Sequence, residues 1–300
     1  MQFGPGCRGE LVKRIQKGLC DVGYDCGKVD GIFGKKTADA VRHFHANHIA
    51  NRNMVFYDCV DEQTWNLLCG EQPTSFEICL QLVAAFEGAS YDTIVGDFDG
   101  AGLSFGILQF NLKSGSLQPI LKSLSEQVWA EVSAETNAEV VKRIRDMLSK
   151  CKKSQMRWAE KISLPPRRYK IIGEYAAAFG ALGKHPECIN AQFLSAHSDY
   201  WLYAVGEAEK FGITSRAGHA LAFDIAVQNG GVKERIQKEV IELLREQTHD
   251  GVRHQMIAVL VANSVKNAYF RKDVLSRKWV IATGRGQVHG REYDLLNWGI

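Results

Sequence analysis

The four residues Gly70-Glu71-Gln72-Pro73 interrupt helical patterning on both sides and do more than any other segment to limit the folds open to this chain. Glycine and proline this close together make a turn or short linker. Directly after them, Thr74-Ser75-Phe76-Glu77 reads as a capping box, in which the threonine and glutamate satisfy each other's orphan backbone donors, so a new helix is predicted to start there. No single helical array can run through such a break. The expected organisation is a small domain over residues 1–70, a linker over 71–75 and a large domain over 76–300, and 300 residues suffice for such a pair.

Composition narrows the function classes. Apolar residues make up 45% and charged residues 24%, the balance of a globular protein. The longest apolar run near the C-terminus, Met256 to Ala262, is far short of the roughly 20 residues a bilayer requires, so membrane insertion is not expected. The net charge of +3 is spread out, with no basic block beyond Lys152-Lys153 and Arg167-Arg168, which argues against a nucleic-acid partner and suits, weakly, an anionic polymer. The opening MQFGPGCRGE lacks a basic stretch followed by an apolar one, so synthesis in a cytoplasm without a secretory signal is expected, with release or delivery needed to reach any outside target. Five of the eight cysteines fall in the first 70 residues without a CxxC pair. His43, His45 and His48 share a helix with no cysteine at ligand spacing and are read as structural, and no metal or cofactor is expected. A small domain with a thin core gains most from cross-links, so one or two disulfides are expected there. The chain is expected to be a monomer.

In the first part, Leu11, Val12, Ile15 and Leu19 recur at helical spacing, and Ala38, Val41 and Phe44 do the same. A shorter helix is predicted around Thr64 to Leu68. Between the first two lies Asp30-Gly31-Ile32-Phe33-Gly34, whose glycines permit positive φ and whose aspartate can bond the local backbone. The order of these pieces resembles the type 1 peptidoglycan-binding domain: a first helix with Val12 to Gln16, the turn Asp30 to Gly34, a helix with Thr37 to Val41, and a closing Asp61-Glu62-Gln63-Thr64-Trp65. The sequence departs from that family's pattern at Phe44-His45, where a glutamine usually follows the phenylalanine. Asp30, Phe33 and Trp65 are read as holding the fold rather than touching a ligand.

The chemistry is concentrated in Ala85 to Phe110, AFEGASYDTIVGDFDGAGLSFGILQF. Phe76, Leu80, Val83 and Ala84 form the apolar stripe of the preceding helix, Glu87 ends it and Gly88 stops it. A carboxyl beyond an apolar helix face is partly desolvated, which favours its protonated form, able to donate to a leaving oxygen. Asp97-Phe98-Asp99-Gly100-Ala101-Gly102 reads as a hairpin or loop that sets carboxylates in solvent. Two carboxyls in unlike surroundings are what glycoside hydrolysis requires, one to protonate the glycosidic oxygen and one to activate water.

This segment resembles the lysozyme superfamily, and within it the chitosanase-type glycoside hydrolases, through Glu87 followed by Asp99-Gly100-Ala101-Gly102-Leu103-Ser104-Phe105-Gly106-Ile107. The resemblance implies Glu87 as general acid, Asp99 as general base and Ser104 as the residue that orients the attacking water. Asp97 is a rival for the base and otherwise a substrate-binding residue. Gly106-Ile107-Leu108-Gln109 also resembles a motif of lytic transglycosylases, which implies that Gln109 lies in a sugar groove. Ala222 to Gly231 resembles a chitosanase helix, with Asn229 where that family has histidine and Phe223 where it has tyrosine. Helical runs are predicted over 127–148, 221–227, 234–246 and 254–267, and a loop over 283–290 that holds Arg285 and His289. Trp201, Tyr203, Trp279 and Tyr293 are candidates to stack on sugars.

The expected architecture is therefore mostly α: a small three-helix binding domain and a larger lysozyme-like α domain carrying a small β-hairpin. The expected activity is an endolysin-type muramidase cleaving the β-1,4 bond of peptidoglycan by two-carboxylate, inverting catalysis. A lytic transglycosylase using Glu87 alone, a chitosanase and a non-catalytic wall-binding protein are the alternatives.

Overall fold

A computed structural model describes residues 1–49, 57–247 and 249–300. In chain order the elements are β1 (Gln2–Phe3), α1 (Glu10–Asp21), α2 (Lys35–His48), β2 (Val60–Asp61), α3 (Glu62–Cys69), α4 (Ser75–Glu87), β3 (Ile94–Val95), β4 (Ser104–Phe105) and β5 (Phe110–Asn111). Then come α5 (Leu117–Lys122), α6 (Glu126–Glu135), α7 (Ala138–Leu148), α8 (Lys152–Ile162), α9 (Gly173–Lys184) and α10 (Pro186–Ala196). A π turn (His197–Trp201) leads into α11 (Leu202–Lys210), α12 (Arg216–Asn229), α13 (Glu234–Leu244), α14 (Asp250–Asn263), α15 (Ala268–Thr283), β6 (Arg285–Val288) and β7 (Arg291–Asp294). The fold is mostly helical, as the periodicity predicts, with only small antiparallel strand groups among the described residues. No described helix is long and apolar enough to cross a membrane.

The chain forms two compact units, Met1–Phe86 with Tyr200–Ile300, and Glu87–Asp199. The segment 71–75 lies inside the first of these. In that unit the stripe Leu11, Val12, Ile15 and Leu19 is buried, and the turn Asp30–Gly34 is knit to α1 by Gln16. The Gln16 Nε2 donates to Asp30 Oδ1 (3.0 Å) and its Oε1 accepts from Gly31 N (2.8 Å). Gly31 has φ +74°, and a side chain there would press on the carbonyl of Gly9. Phe33 and Trp65 are core residues, and buried His45 spans the Tyr57 carbonyl and Thr64 Oγ1, both at 2.9 Å.

The three N-terminal helices share packing with the rest of the first unit. Phe3 pairs with Val60 in the β1–β2 ladder, bridges Trp298 and lies 5.2 Å from the Trp65 ring. Gln81 of α4 accepts from Leu11 N (2.8 Å) and donates to Cys7 Sγ (3.3 Å). The disulfides expected for a thin core are not formed among the described residues. The nearest approach described, Cys20 Sγ to Cys26 Sγ at 3.2 Å, is a hydrogen-bonding distance and not a covalent one.

Two other expectations are corrected locally. The predicted helix over 127–148 is two helices, because the chain breaks at Thr136 and Asn137 recaps it, its side chain accepting from Glu139 N (3.0 Å) and Val140 N (3.3 Å). The predicted loop over 283–290 mostly belongs to a hairpin, β6 pairing with β7 from Arg285↔Asp294 to Val288↔Arg291.

In the second unit, a three-stranded antiparallel sheet of order β3-β4-β5 sits among α5 to α10, with Phe105, Phe110, Ile120, Val141, Ile144 and Phe179 in the core.

Candidate functional site

Helix α4 begins as its capping box predicts. Thr74 N donates to Glu77 Oε2 (2.7 Å) and Glu77 N donates to Thr74 Oγ1 (3.2 Å). The helix is buried along most of its length and ends on half-buried Glu87, after which Gly88 turns away with φ +64°. The last carbonyls of a helix lack internal partners. Here they are met by the C-terminal hairpin: the Tyr293 hydroxyl donates to the Ala85 carbonyl (3.2 Å), and His289 Nδ1 faces the Phe86 carbonyl (3.0 Å) while its Nε2 faces Asp273 Oδ1 (2.5 Å). The residues just before Glu87 are thereby held.

The segment after Glu87 forms the predicted hairpin. Val95 pairs with Ser104 and Ile94 with Phe105, and residues 96–103 make the connecting loop. The two loop aspartates differ. Asp97 is half-buried and spans the loop, its Oδ1 accepting from Gly102 N (2.9 Å) and its own N–H donating to Ser163 Oγ (2.9 Å). Asp99 is exposed, and one of its oxygens accepts from Ala101 N (3.0 Å) in a tight Asx turn. Half-buried Ser104 lies on β4 between Val95 and Asn111.

The motif Gly106 to Gln109 turns the chain from β4 to β5. Gly106 has φ +81°, and any Cβ there would overlap the buried Gln192 side chain, whose Oε1 accepts from Ile107 N (3.0 Å) and whose Nε2 donates to the Tyr91 carbonyl (2.9 Å). Gln109 is half-buried, has φ +54° and donates to the Gly106 carbonyl (2.9 Å). Glu87, Asp97, Asp99, Ser104 and Gln109 thus all belong to the second unit, four of them on one short sheet and its connections.

Asn229 and Tyr293 belong to the first unit. Asn229 is the last residue of α12, half-buried, with its Oδ1 buried and unpartnered. Tyr293 is 6% exposed, its ring 4.9 Å from Phe86. Of the other aromatic candidates, Trp201 is buried, whereas Tyr203 and Trp279 are exposed.

A buried charge cluster that apolar periodicity does not announce lies on α12, the helix that ends at Asn229. Asp224 of α12 accepts from Arg277 Nε (3.0 Å) and from Lys278 Nζ (2.9 Å), all three being buried. Burial alone would raise the Asp224 carboxyl, but the charges of Arg277 and then Lys278 hold it below its ordinary range. Lys278 shifts the other way from a simple ion pair. Burial pushes it below the usual lysine range; Asp224 opposes this and Arg277 adds to it, because two cations share one carboxylate. The Arg277 guanidinium also stacks 5.5 Å over the Phe86 ring. A faint signal was present in sequence, an aspartate within an otherwise apolar helix.

Comparison with known proteins agrees in part with these observations. Residues 8–48 match the model of a putative peptidoglycan binding domain. No curated protein matches the chain. Among solved structures, a mutant chitosanase from Bacillus subtilis MY002 complexed with six GlcN units superposes with a TM-score of 0.50 at 12% identity, over 75% of this chain and 97% of that one. The native chitosanase from the same source gives 0.50 at 14% identity, over 73% and 94%. At such identities the likeness is one of fold. The chain therefore resembles a putative peptidoglycan binding domain over residues 8–48 and shares the wider, mostly helical fold of the chitosanases.

Proposed function

We propose that this protein is a glycoside hydrolase of the bacterial cell wall, a muramidase that cleaves the β-1,4 glycosidic bond of peptidoglycan. In this reading Glu87 protonates the glycosidic oxygen, Asp99 takes a proton from water, and Ser104 orients that water for attack on the opposite face, inverting the anomeric centre. The observation that carries it is the contrast between the carboxyls: Glu87 is half-buried at a braced helix end, whereas Asp99 is exposed on the hairpin that follows. Asp97, the rival, already spans its loop, which supports Asp99 as base. The match at residues 8–48 supports wall glycan as substrate, and residues 1–70 are proposed to hold the wall while the rest cuts it.

Mass analysis of digested peptidoglycan tests this. Reducing N-acetylmuramic acid ends are expected, and Glu87→Gln is expected to lower turnover by at least ~100-fold, within the usual contribution of general acid catalysis. A Glu87→Gln protein that clears walls as fast as the parent would remove the acid from the scheme. The resemblance of Gly106–Gln109 to a lytic transglycosylase motif favours a second reading, a transglycosylase that needs no base. Anhydro ends, together with full activity in Asp99→Asn, would select it. The shared fold favours a third, chitosan cleavage, which a parallel assay on chitosan separates.

A further inference from the structure

We propose that Phe98 and Tyr169 form a preorganised stacked aromatic pair, a platform whose outer face packs on a pyranose of the substrate, and that the basic loop carrying Tyr169 favours an anionic glycan over a cationic one. This rests on the reading of the β3–β4 hairpin as catalytic and adds to it a sugar-binding surface and a basis for substrate choice.

Most of the large rings near this hairpin, including Phe105, Phe110 and Phe179, are sunk in the core. Phe98 and Tyr169 are not. They are 47% and 51% exposed, yet their centroids lie 4.5 Å apart with planes inclined by 33°. Phe98 stands between Asp97 and Asp99, so the ring adjoins both candidate bases in sequence.

The pair is fixed from both sides. Gly96 N donates to the Tyr169 carbonyl (2.9 Å), Asp97 N to Ser163 Oγ (2.9 Å) and Gly102 N to Asp97 Oδ1 (2.9 Å). The partner loop is clasped by the Ser163↔Ile171 bridge and by Leu164 N donating to the Lys170 carbonyl (2.7 Å). Gly96 is required for this approach, since a Cβ would overlap the Arg168 carbonyl. Two loops bolted together thus hold the rings stacked on each other, each leaving its outer face and edge to solvent, with little ordering cost on binding. Aromatic faces are electron-rich and apolar and suit the C–H face of a pyranose, while the hydroxyl of tyrosine remains wet.

Charge is arranged unequally around the rings. Asp97 and Asp99 flank Phe98, whereas Arg167 and Lys170 are the exposed neighbours of Tyr169, and Arg168 between them pairs with Glu160 (3.0 Å). A glycan with carboxylate-bearing substituents is attracted by the Tyr169 side, while a polyamine such as chitosan is repelled there. Peptidoglycan, whose muramic acid carries a lactyl-linked peptide, fits the first description.

The test uses the full chain with Glu87→Gln, titrated calorimetrically with short soluble peptidoglycan strands, and the active protein in parallel. Phe98→Ala and Tyr169→Ala are each expected to weaken strand binding by roughly tenfold and to raise KM with little change in kcat, as loss of a stacking contact does. Tyr169→Phe is expected to restore both, and thermal melting checks that the alanine variants remain folded. The double variant Arg167→Glu with Lys170→Glu is expected to lower kcat/KM on wall glycan and not on chitosan, an effect that fades at high salt. Unchanged strand affinity and KM in both alanine variants would overturn the platform, and an equal fall on both glycans would overturn the charge selection. The underlying hydrolase reading fails differently: the parent would cleave no glycan, while the loss of strand binding in Phe98→Ala would still stand.

Discussion

At the scale of single residues, the buried trio Asp224, Arg277 and Lys278 and the pair Gly106 and Gln192 are places where a substitution is expected to be costly. Removing one charge of a buried network leaves the others uncompensated. Asp224→Asn is therefore expected to destabilise the fold by about 3–5 kcal/mol, read from urea unfolding. The pH dependence has a definite sign. Arg277 and Lys278 hold the folded Asp224 carboxyl below its ordinary value. Its stabilising contribution is complete above the unfolded aspartate pKa and disappears as pH falls through the lower folded value. The parent's urea midpoint should therefore drop on acidification by more than that of Asp224→Asn. At Gly106 the sequence pattern G-I-L-Q was legible as a motif, but its structural cause was not. The Gln192 amide reaches in from 85 residues further along the chain to bond Ile107 N, so Gly106→Ala sets positive φ against a buried side chain. It is expected to cost at least ~2 kcal/mol, and a thermal melt matching the parent would refute that account.

At the scale of elements, local rules were reliable wherever the signal lay within a few residues. The capping box at Thr74 and Glu77, the stop at Gly88 and the hairpin around Asp97–Gly102 all form where the sequence places them. Thr74→Ala is expected to cost about 1 kcal/mol by uncapping α4, with the loss visible as a lower melting temperature. The helix break at Asn137 was not read, because apolar periodicity continues across it and the deciding event is a side chain capping the next helix. The β6–β7 hairpin was hidden in the same way. Its strands are only four residues each, and it is placed by His289 at its tip and Tyr293 on β7 bonding to the end of α4 more than 200 residues earlier.

For the whole molecule, residues on both sides of the joint near Pro73 share contacts within the first compact unit. Leu11 N donates to Gln81 of α4, Phe3 packs on Trp65 and bridges Trp298, and Gly4 N donates to the Asn297 carbonyl (3.1 Å). A chain truncated to residues 74–300 would expose Gln81 and Trp298 together with the apolar face around them. It is expected to be poorly soluble or to melt well below the parent, as measured by circular dichroism on whatever can be purified. A truncated chain as stable as the parent would show that the N-terminal helices form an independent bead.

Spacing along the chain was enough to establish the helical class, the small helical module, the helix that ends at Glu87 and the hairpin around Asp97–Gly102, because capping, periodicity and turn chemistry act over a handful of residues. Tertiary structure alone decided which groups are sheltered or wet: that Tyr293 and Trp201 are interior while Phe98 and Tyr169 face solvent, that Asp97 braces its loop while Asp99 stays exposed, and that a buried aspartate is shared by two cations. The reason is that burial and pairing are set by partners far away in sequence, and a one-dimensional pattern records neither who those partners are nor how closely they approach.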